Sequence, residues 1–80
     1  MRLDKYLKVS RLIKRRTVAN EACDAGKVLV NGKPARASYD VKENDVISIT
    51  LGTRQLNAQV VSVQETVAKQ EAELLYRLLP

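Results

Sequence analysis

The sequence predicts an α+β fold in which two N-terminal helices pack on a small, mostly antiparallel sheet, followed by a C-terminal helix. Two observations predict this class. Within residues 3–25, apolar residues recur every three to four positions, as in amphipathic helices. Beyond Gly26, apolar residues instead form short runs separated by turn-forming residues, as in the strands of a half-buried sheet.

Residues 3–25 predict two helices rather than one long rod. Two stripes of apolar residues at helical spacing predict one helix each. The apolar residues between the two stripes continue neither of them. We therefore expect a break near Ile13 or Lys14, with the second helix beginning near Arg15. Gly26 then supplies the left-handed residue that commonly ends a helix. The stripe residues are Leu3, Leu7, Ala19, Ala22 and Cys23.

The first strand is predicted at residues 27–30. Asn31 and Gly32 follow it and predict a tight turn, because both residues tolerate positive φ. Pro34 predicts an edge or an irregular return, since proline cannot donate a backbone hydrogen bond. A second turn is expected at residues 42–45.

Two further strands and a helix complete the prediction. Residues 46–51 alternate between apolar and polar faces, and after a turn at Gly52 residues 56–63 pair back. A helix is expected from about Thr66, although a capping box at residues 62–65 would let it begin earlier. Its predicted stripe is Ala68, Ala72, Leu75 and Leu79, with charge pairs Glu65–Lys69 and Glu73–Arg77.

Positive charge is concentrated at the N-terminus. The chain has 14 basic and 9 acidic residues, a net charge of +5. Residues 1–16 alone contain seven basic residues and one acidic residue, a net charge of +6, whereas residues 37–80 carry −2. Such a field attracts polyanions, either nucleic acid or an anionic membrane surface.

Little in the sequence points to catalysis. There is no histidine, and the single cysteine, Cys23, lies among small apolar residues and is expected to be a buried packing position. The acids Asp40, Glu43 and Asp45 fall in or beside a predicted turn, where they serve turn formation and solubility. The three glycines stand too far apart to form a phosphate-binding loop. We expect a protein that is not an enzyme and needs no metal or cofactor.

A cytoplasmic location without membrane contact is expected. The N-terminus has no apolar run of the kind found in signal peptides. No stretch approaches the roughly 20 apolar residues of a membrane span. One unpaired cysteine agrees with a reducing compartment.

The N-terminal basic residues form a candidate binding surface. Four recur at helical intervals on the face opposite the first stripe, and two more flank the predicted break. Free backbone N–H groups at the start of the second helix favour a phosphate nearby, and arginine can bind phosphate at two points. The face comprises Lys5, Lys8, Arg11 and Arg15, and the flanking pair is Lys14 and Arg16.

Structured RNA is the polyanion that fits best. A membrane-surface helix would need its apolar side for lipid, but that side must form the core of this small domain. The three tyrosines are scattered, so recognition of shape and phosphate is favoured over base stacking.

Three segments resemble the S4 RNA-binding domain family: RLDKYL at residues 2–7, RRTVANEACDAGKVLVNG at 15–32 and VKENDVISI at 41–49. The resemblance covers residues 1–51 and implies an S4-type RNA-binding core there. Residues 52–80 are expected to add a strand and a helix to the same single domain. KEND stands where the family more often has a Pro-Gly-Asp turn.

Among stand-alone members, the chain is most similar to the RqcP (YabO) family of bacterial ribosome-associated quality control. More distantly it resembles the heat-shock-induced small S4 proteins. The resemblance implies a factor, monomeric off the ribosome, that binds the large ribosomal subunit through large-subunit ribosomal RNA and peptidyl-tRNA. It would stabilise P-site tRNA on obstructed subunits and support alanine tailing by an RqcH-type elongation partner.

Carried over by resemblance, the first RNA-binding positions are Arg2 and Arg16. Asp4 either pairs with Arg2 or Lys8 or stabilises the N-terminus of the first helix, and we favour the second role. Arg36 either extends the surface or is an idle loop charge. The full predicted set is Arg2, Lys5, Lys8, Arg11, Lys14, Arg15, Arg16, Thr17 and Lys33.

Other functions remain open on the sequence alone. A heat-shock-type role in ribosome recycling belongs to the same RNA-binding class. A protein-interaction adaptor would instead use the helix face at Leu75 and Leu79, with the basic residues serving only solubility. An enzyme fragment is the third possibility, although no residue set here explains turnover.

Overall fold

The computed structural model describes all 80 residues and confirms the α+β class. Two α-helices come first, and a five-stranded sheet and a short 3₁₀ helix follow. The helices are α1 Leu3–Val9, α2 Arg16–Asp24 and the 3₁₀ helix Lys69–Leu75. The strands are β1 Val28–Val30, β2 Lys33–Pro34, β3 Val46–Leu51, β4 Arg54–Val60 and β5 Tyr76–Leu79.

The sheet is antiparallel throughout, with the strand order β2-β1-β3-β4-β5. Asn31 and Gly32 both have positive φ and join β1 to β2, which confirms the predicted turn. Pro34 lies in β2 at the sheet edge, where a missing N–H costs nothing. Gly52 likewise has positive φ in the hairpin between β3 and β4.

The break between the helices is confirmed but begins earlier than predicted. Helix α1 ends at Val9, because Arg11 takes a φ of 65° and its N–H donates to the Lys8 carbonyl. Ser10 is buried, and its hydroxyl donates to the Leu7 carbonyl. Since α1 is this short, Arg11 does not share its helical face.

Helix α2 ends as predicted. Gly26 has a φ of 78°, and its N–H donates to the Cys23 carbonyl. The Lys27 N–H donates to the Ala22 carbonyl, which completes a Schellman motif. The C-terminus of α2 and the entry into β1 are therefore fixed by local hydrogen bonds.

The turn predicted at residues 42–45 is present. Asn44 takes a φ of 74°, a conformation that asparagine tolerates better than most residues. The Asp45 carboxylate is buried and accepts hydrogen bonds from the Lys42 N–H, the Tyr39 hydroxyl and the Asn31 side chain. Its expected role in turn formation is confirmed.

The C-terminal region departs from the prediction. A third helix is present, but it is a 3₁₀ helix that ends at Leu75, and the next four residues form β5 at the sheet edge. Strand β4 ends at Val60 rather than continuing to residue 63. Where β4, β5 and the 3₁₀ helix meet, the Leu75 carbonyl accepts the N–H groups of Val61 and Ser62 and, at 2.6 Å, the Tyr6 hydroxyl.

Neither predicted C-terminal charge pair forms. Glu65 pairs with Lys5 on α1, and Arg77 donates to Gln59 across β4 and β5. The helix face that the adaptor hypothesis requires is not formed, because Leu75 is fully buried and Leu79 lies in β5.

One hydrophobic core joins both helices, the sheet and the 3₁₀ helix. In β3, Ile47 and Ile49 are buried as the alternation predicts, whereas Leu51 at the strand end is exposed. No helix is both long and apolar enough to cross a membrane. The principal core residues are Leu3, Tyr6, Leu7, Ala19, Cys23, Val28, Val30, Ile47, Ile49, Val60 and Leu75.

Candidate nucleic-acid interface

A buried carboxylate lies at the centre of the basic surface. The Asp4 side chain, on the first turn of α1, is only 3% exposed. Arg2 donates to it through Nε at 3.1 Å, and the Nε of Arg16 on α2 lies 3.5 Å from its other oxygen. Asn20 donates to that second oxygen at 3.1 Å. Asp4 therefore connects the N-terminus with both helices.

The pKa of Asp4 reflects this environment. Burial alone would raise the pKa of the carboxyl group, since it disfavours the charged form. Hydrogen bonds from Arg2, Asn20 and Arg16 outweigh burial and lower the pKa from 3.8 to about 2. Asp4 is consequently ionised at neutral pH.

Asp4 orients the Arg2 and Arg16 side chains but does not occupy all of their hydrogen-bond donors. Their side chains are 50% and 48% exposed, so each guanidinium keeps donors facing outward. The favoured interpretation, that Asp4 stabilises the helix start, is supported, since Asp4 lies in the first turn of α1 and accepts the Lys5 N–H at 2.8 Å. The alternative interpretation, pairing with Arg2, holds as well. Its carboxylate pairs with Arg2, and with Arg16 rather than Lys8.

A shallow cavity opens beside this pair. It is lined by Asp4, Arg16, Thr17, Asn20 and Glu21. Thr17 is exposed on the first turn of α2, where no side chain caps the helix. Asn20 is not among the predicted site residues, although its position four residues after Arg16 places both on one face of α2.

The basic residues of α1 and of the break that follows it meet the C-terminal half of the chain. Lys5 forms an ion pair with Glu65, and Lys8 and Arg11 line a cavity with Glu65 and its neighbour Thr66. The ion pair lowers the pKa of Glu65. No local sequence signal indicates this contact, because the partners are 60 residues apart.

Three predicted residues lie apart from these cavities. Lys14 and Arg15 are exposed in the segment between the helices, with Arg15 at the N-cap of α2, and Lys33 is exposed on β2. None of them forms an ion pair with an acidic residue of the chain.

Cys23 has the packing role predicted for it. It is buried in the core on α2, and burial raises the pKa of its thiol to about 11. A protonated, inaccessible thiol is a poor nucleophile.

The chain is similar in sequence to a known family over most of its length. A family model described as the S4 domain matches residues 1–47. A Halalkalibacterium halodurans protein named RQC P-site tRNA stabilizing factor is 51% identical over 78 residues, which cover 98% of this chain and 89% of that protein. A Bacillus subtilis protein of the same name is 48% identical over 79 residues, 99% of this chain and 92% of that protein.

Among solved structures, the fold is similar to that of Vibrio cholerae heat shock protein 15, described as trimeric. The TM-score is 0.91 at 30% sequence identity, with 99% of this chain and 81% of that chain covered. The similarity therefore includes the C-terminal strands as well as the two helices.

Proposed function

Because this chain belongs to the S4-domain family and, within it, to the family of RQC P-site tRNA stabilizing factors, we propose that it is a non-catalytic, RNA-binding factor of ribosome-associated quality control. It binds the large ribosomal subunit through phosphates of large-subunit ribosomal RNA and peptidyl-tRNA. In doing so it stabilises P-site tRNA on obstructed subunits. It acts in the cytoplasm and is a monomer off the ribosome.

The observation that carries this proposal is the placement of Arg2 and Arg16 on either side of the buried Asp4. A hydrogen bond orients the Arg2 guanidinium and an ion pair at 3.5 Å orients that of Arg16 before RNA binds, so less side-chain entropy is lost on binding. Both residues lie in the segment that matches the S4 domain. We assign their outward donors to RNA phosphates.

The tyrosines support recognition of phosphate and shape rather than of stacked bases. Tyr6 is fully buried and donates its hydroxyl to Leu75, and the Tyr39 hydroxyl is bound by Asp45. The buried Tyr6 ring cannot act as a platform for an unpaired base. Support of alanine tailing through an RqcH-type partner is the part of the proposal that rests on family resemblance alone.

Arg16→Ala is expected to weaken binding to purified large ribosomal subunits about tenfold at low salt without unfolding the domain, because a charged contact is lost. For roughly 4 to 6 phosphate contacts, wild-type affinity should fall about 100- to 1,000-fold between about 50 and 200 mM salt. The variant should reduce the slope of that dependence by about one. Cosedimentation across a salt series measures both quantities.

Arg54→Ala is the matched control, since Arg54 is exposed in the β3–β4 hairpin and has no acidic partner. It should bind subunits nearly as wild type does. Equal binding by the Arg16 and Arg54 variants would remove Arg16 from the interface, and wild-type protein that never cosediments would refute the proposed function.

A heat-shock-type role in ribosome recycling is the second candidate, favoured by the similarity to the Vibrio cholerae protein. The two roles differ in the subunit they require. Stabilisation of P-site tRNA predicts tighter binding to subunits that carry peptidyl-tRNA together with slower release of that tRNA. Tight binding without any effect on tRNA release would favour the recycling role.

A further inference from the structure

A second cavity includes Arg2, but its other lining residues are outside the predicted set of binding residues. It has a volume of about 390 Å³ and is lined by Arg2, Asp24, Arg36, Ala37 and Ser38. Two guanidinium groups, one carboxylate and one hydroxyl thus converge on a single open space. Arg36 forms no ion pair within the chain.

The segment that carries Arg36 is fastened to the start of the chain by backbone hydrogen bonds. The Leu3 N–H donates to the Tyr39 carbonyl at 2.8 Å, and the Asp4 N–H donates to the Ala37 carbonyl at 3.2 Å. Farther along, the Val41 N–H donates to the Met1 carbonyl at 2.9 Å. The backbone next to Arg36 is therefore fixed against the start of the chain, and Arg36 lines the same cavity as Arg2.

One edge of the Arg2 guanidinium has a nitrogen without a partner in the protein. Its Nε and Nη2 donate to Asp4, whereas Nη1 makes no hydrogen bond within the protein. Together with the unpaired guanidinium of Arg36, it can bind the two free oxygens of one phosphodiester. The exposed Ser38 hydroxyl can donate to the same group.

Asp24 adds a negatively charged hydrogen-bond acceptor to the cavity. One of its oxygens accepts the Ala37 N–H at 3.1 Å, while the other has no hydrogen-bond partner within the protein. A carboxylate beside a phosphate site disfavours a dianionic phosphate and is costly unless it accepts a proton donor from the ligand. The group next to a phosphodiester that can donate is the ribose 2′-hydroxyl.

We propose that this cavity binds one ribose-phosphate unit of RNA, with Arg2 and Arg36 on the phosphodiester and Asp24 accepting the 2′-hydroxyl. The subsite rests on the proposed RNA-binding function and adds to it a means of distinguishing RNA from ligands without a 2′-hydroxyl. It also extends the interface from the two helices to the segment between β2 and β3.

Asp24→Asn tests the hydroxyl contact, because the amide oxygen can still accept the Ala37 N–H while an NH₂ group replaces the free carboxylate oxygen. The probes are a short RNA duplex and the fully 2′-O-methylated duplex of the same sequence, which keeps the A-form but cannot donate. Wild-type protein should bind the unmodified duplex about tenfold more tightly. The Asp24 variant should bind both duplexes equally.

Arg36→Ala tests the phosphate contact and should weaken binding to both duplexes about tenfold, leaving their ratio unchanged. Arg54→Ala again serves as the control for a lost positive charge. A wild-type ratio of one, an Asp24 variant that keeps the wild-type ratio, or an Arg36 variant no weaker than the Arg54 control would each overturn the subsite.

Failure of the subsite can be separated from failure of the proposed function. If wild-type protein binds large ribosomal subunits in an Arg16-dependent manner but the Asp24 and Arg36 variants bind them as wild type does, only the subsite is wrong. If wild-type protein binds neither subunits nor RNA duplex, the proposed function itself is wrong.

Discussion

Asp4→Asn is expected to lower the free energy of unfolding by about 2 kcal/mol at neutral pH, because a buried, ionised carboxylate held by side-chain donors and a backbone N–H is replaced by a neutral amide. The folded-state pKa of Asp4 is about 2 and its ordinary value is 3.8. The stabilisation is therefore fully present above the ordinary value and is lost as pH falls through about 2. Denaturant unfolding at several pH values measures it.

The variant should also lose part of the acid sensitivity of the domain. Between about pH 4 and pH 2 the wild-type protein should lose about 2 kcal/mol more than Asp4→Asn does. Asp40→Asn is the control, since Asp40 is largely exposed and pairs only with the N-terminal amine. Identical pH profiles for wild type and Asp4→Asn would contradict the central position given to this carboxylate.

The same substitution separates positioning from direct contact. Asp4 touches the two arginines and carries no positive charge itself, so Asp4→Asn should weaken subunit binding while leaving the salt slope at its wild-type value. Arg16→Ala instead removes a phosphate contact and should reduce the slope. A reduced slope for Asp4→Asn would mean that its loss disorders the whole surface.

Leu75→Ala is expected to destabilise the domain by about 3 kcal/mol, within the usual cost of truncating a buried leucine. Leu75 is fully buried where the 3₁₀ helix meets the core. In a domain of this size, such a loss should lower the Tm by more than about 10 °C. Thermal unfolding followed by circular dichroism measures this shift.

Leu74→Ala provides the comparison within the same helix. Leu74 is 68% exposed, so its truncation should change stability by less than about 0.5 kcal/mol. Similar losses for both variants would show that the C-terminal segment does not join the core as described.

Local signals predicted most of the fold. Gly26, the Asn31-Gly32 turn and the alternation of β3 act through their own backbone conformations or nearest neighbours, and the structure confirms each of them. The C-terminal region was predicted as a longer α-helix, because spacing alone cannot show that Tyr6 binds the Leu75 carbonyl. These two residues are 69 positions apart, and their contact joins α1 to the end of the 3₁₀ helix.

In the candidate site too, some residues were predictable from the sequence and others depend on contacts that only the fold creates. Family resemblance singled out Arg2 and Arg16, and charge counting identified the surface that holds them. The shared carboxylate could not be derived in this way, since Asp4 meets Arg16 only when the two helices pack together. Arg36 could not be assigned for a similar reason, because its position beside Arg2 depends on hydrogen bonds between the start of the chain and residues 37–41.

The most direct measurement is a cryo-electron microscopy reconstruction of this protein on large ribosomal subunits that carry peptidyl-tRNA. We expect density that places the Arg2 and Arg16 guanidinium groups within hydrogen-bonding distance of ribosomal RNA or tRNA phosphates, with Asp4 still between them. A complex in which this face points to solvent, with the protein held through another surface, would contradict the proposed mode of binding.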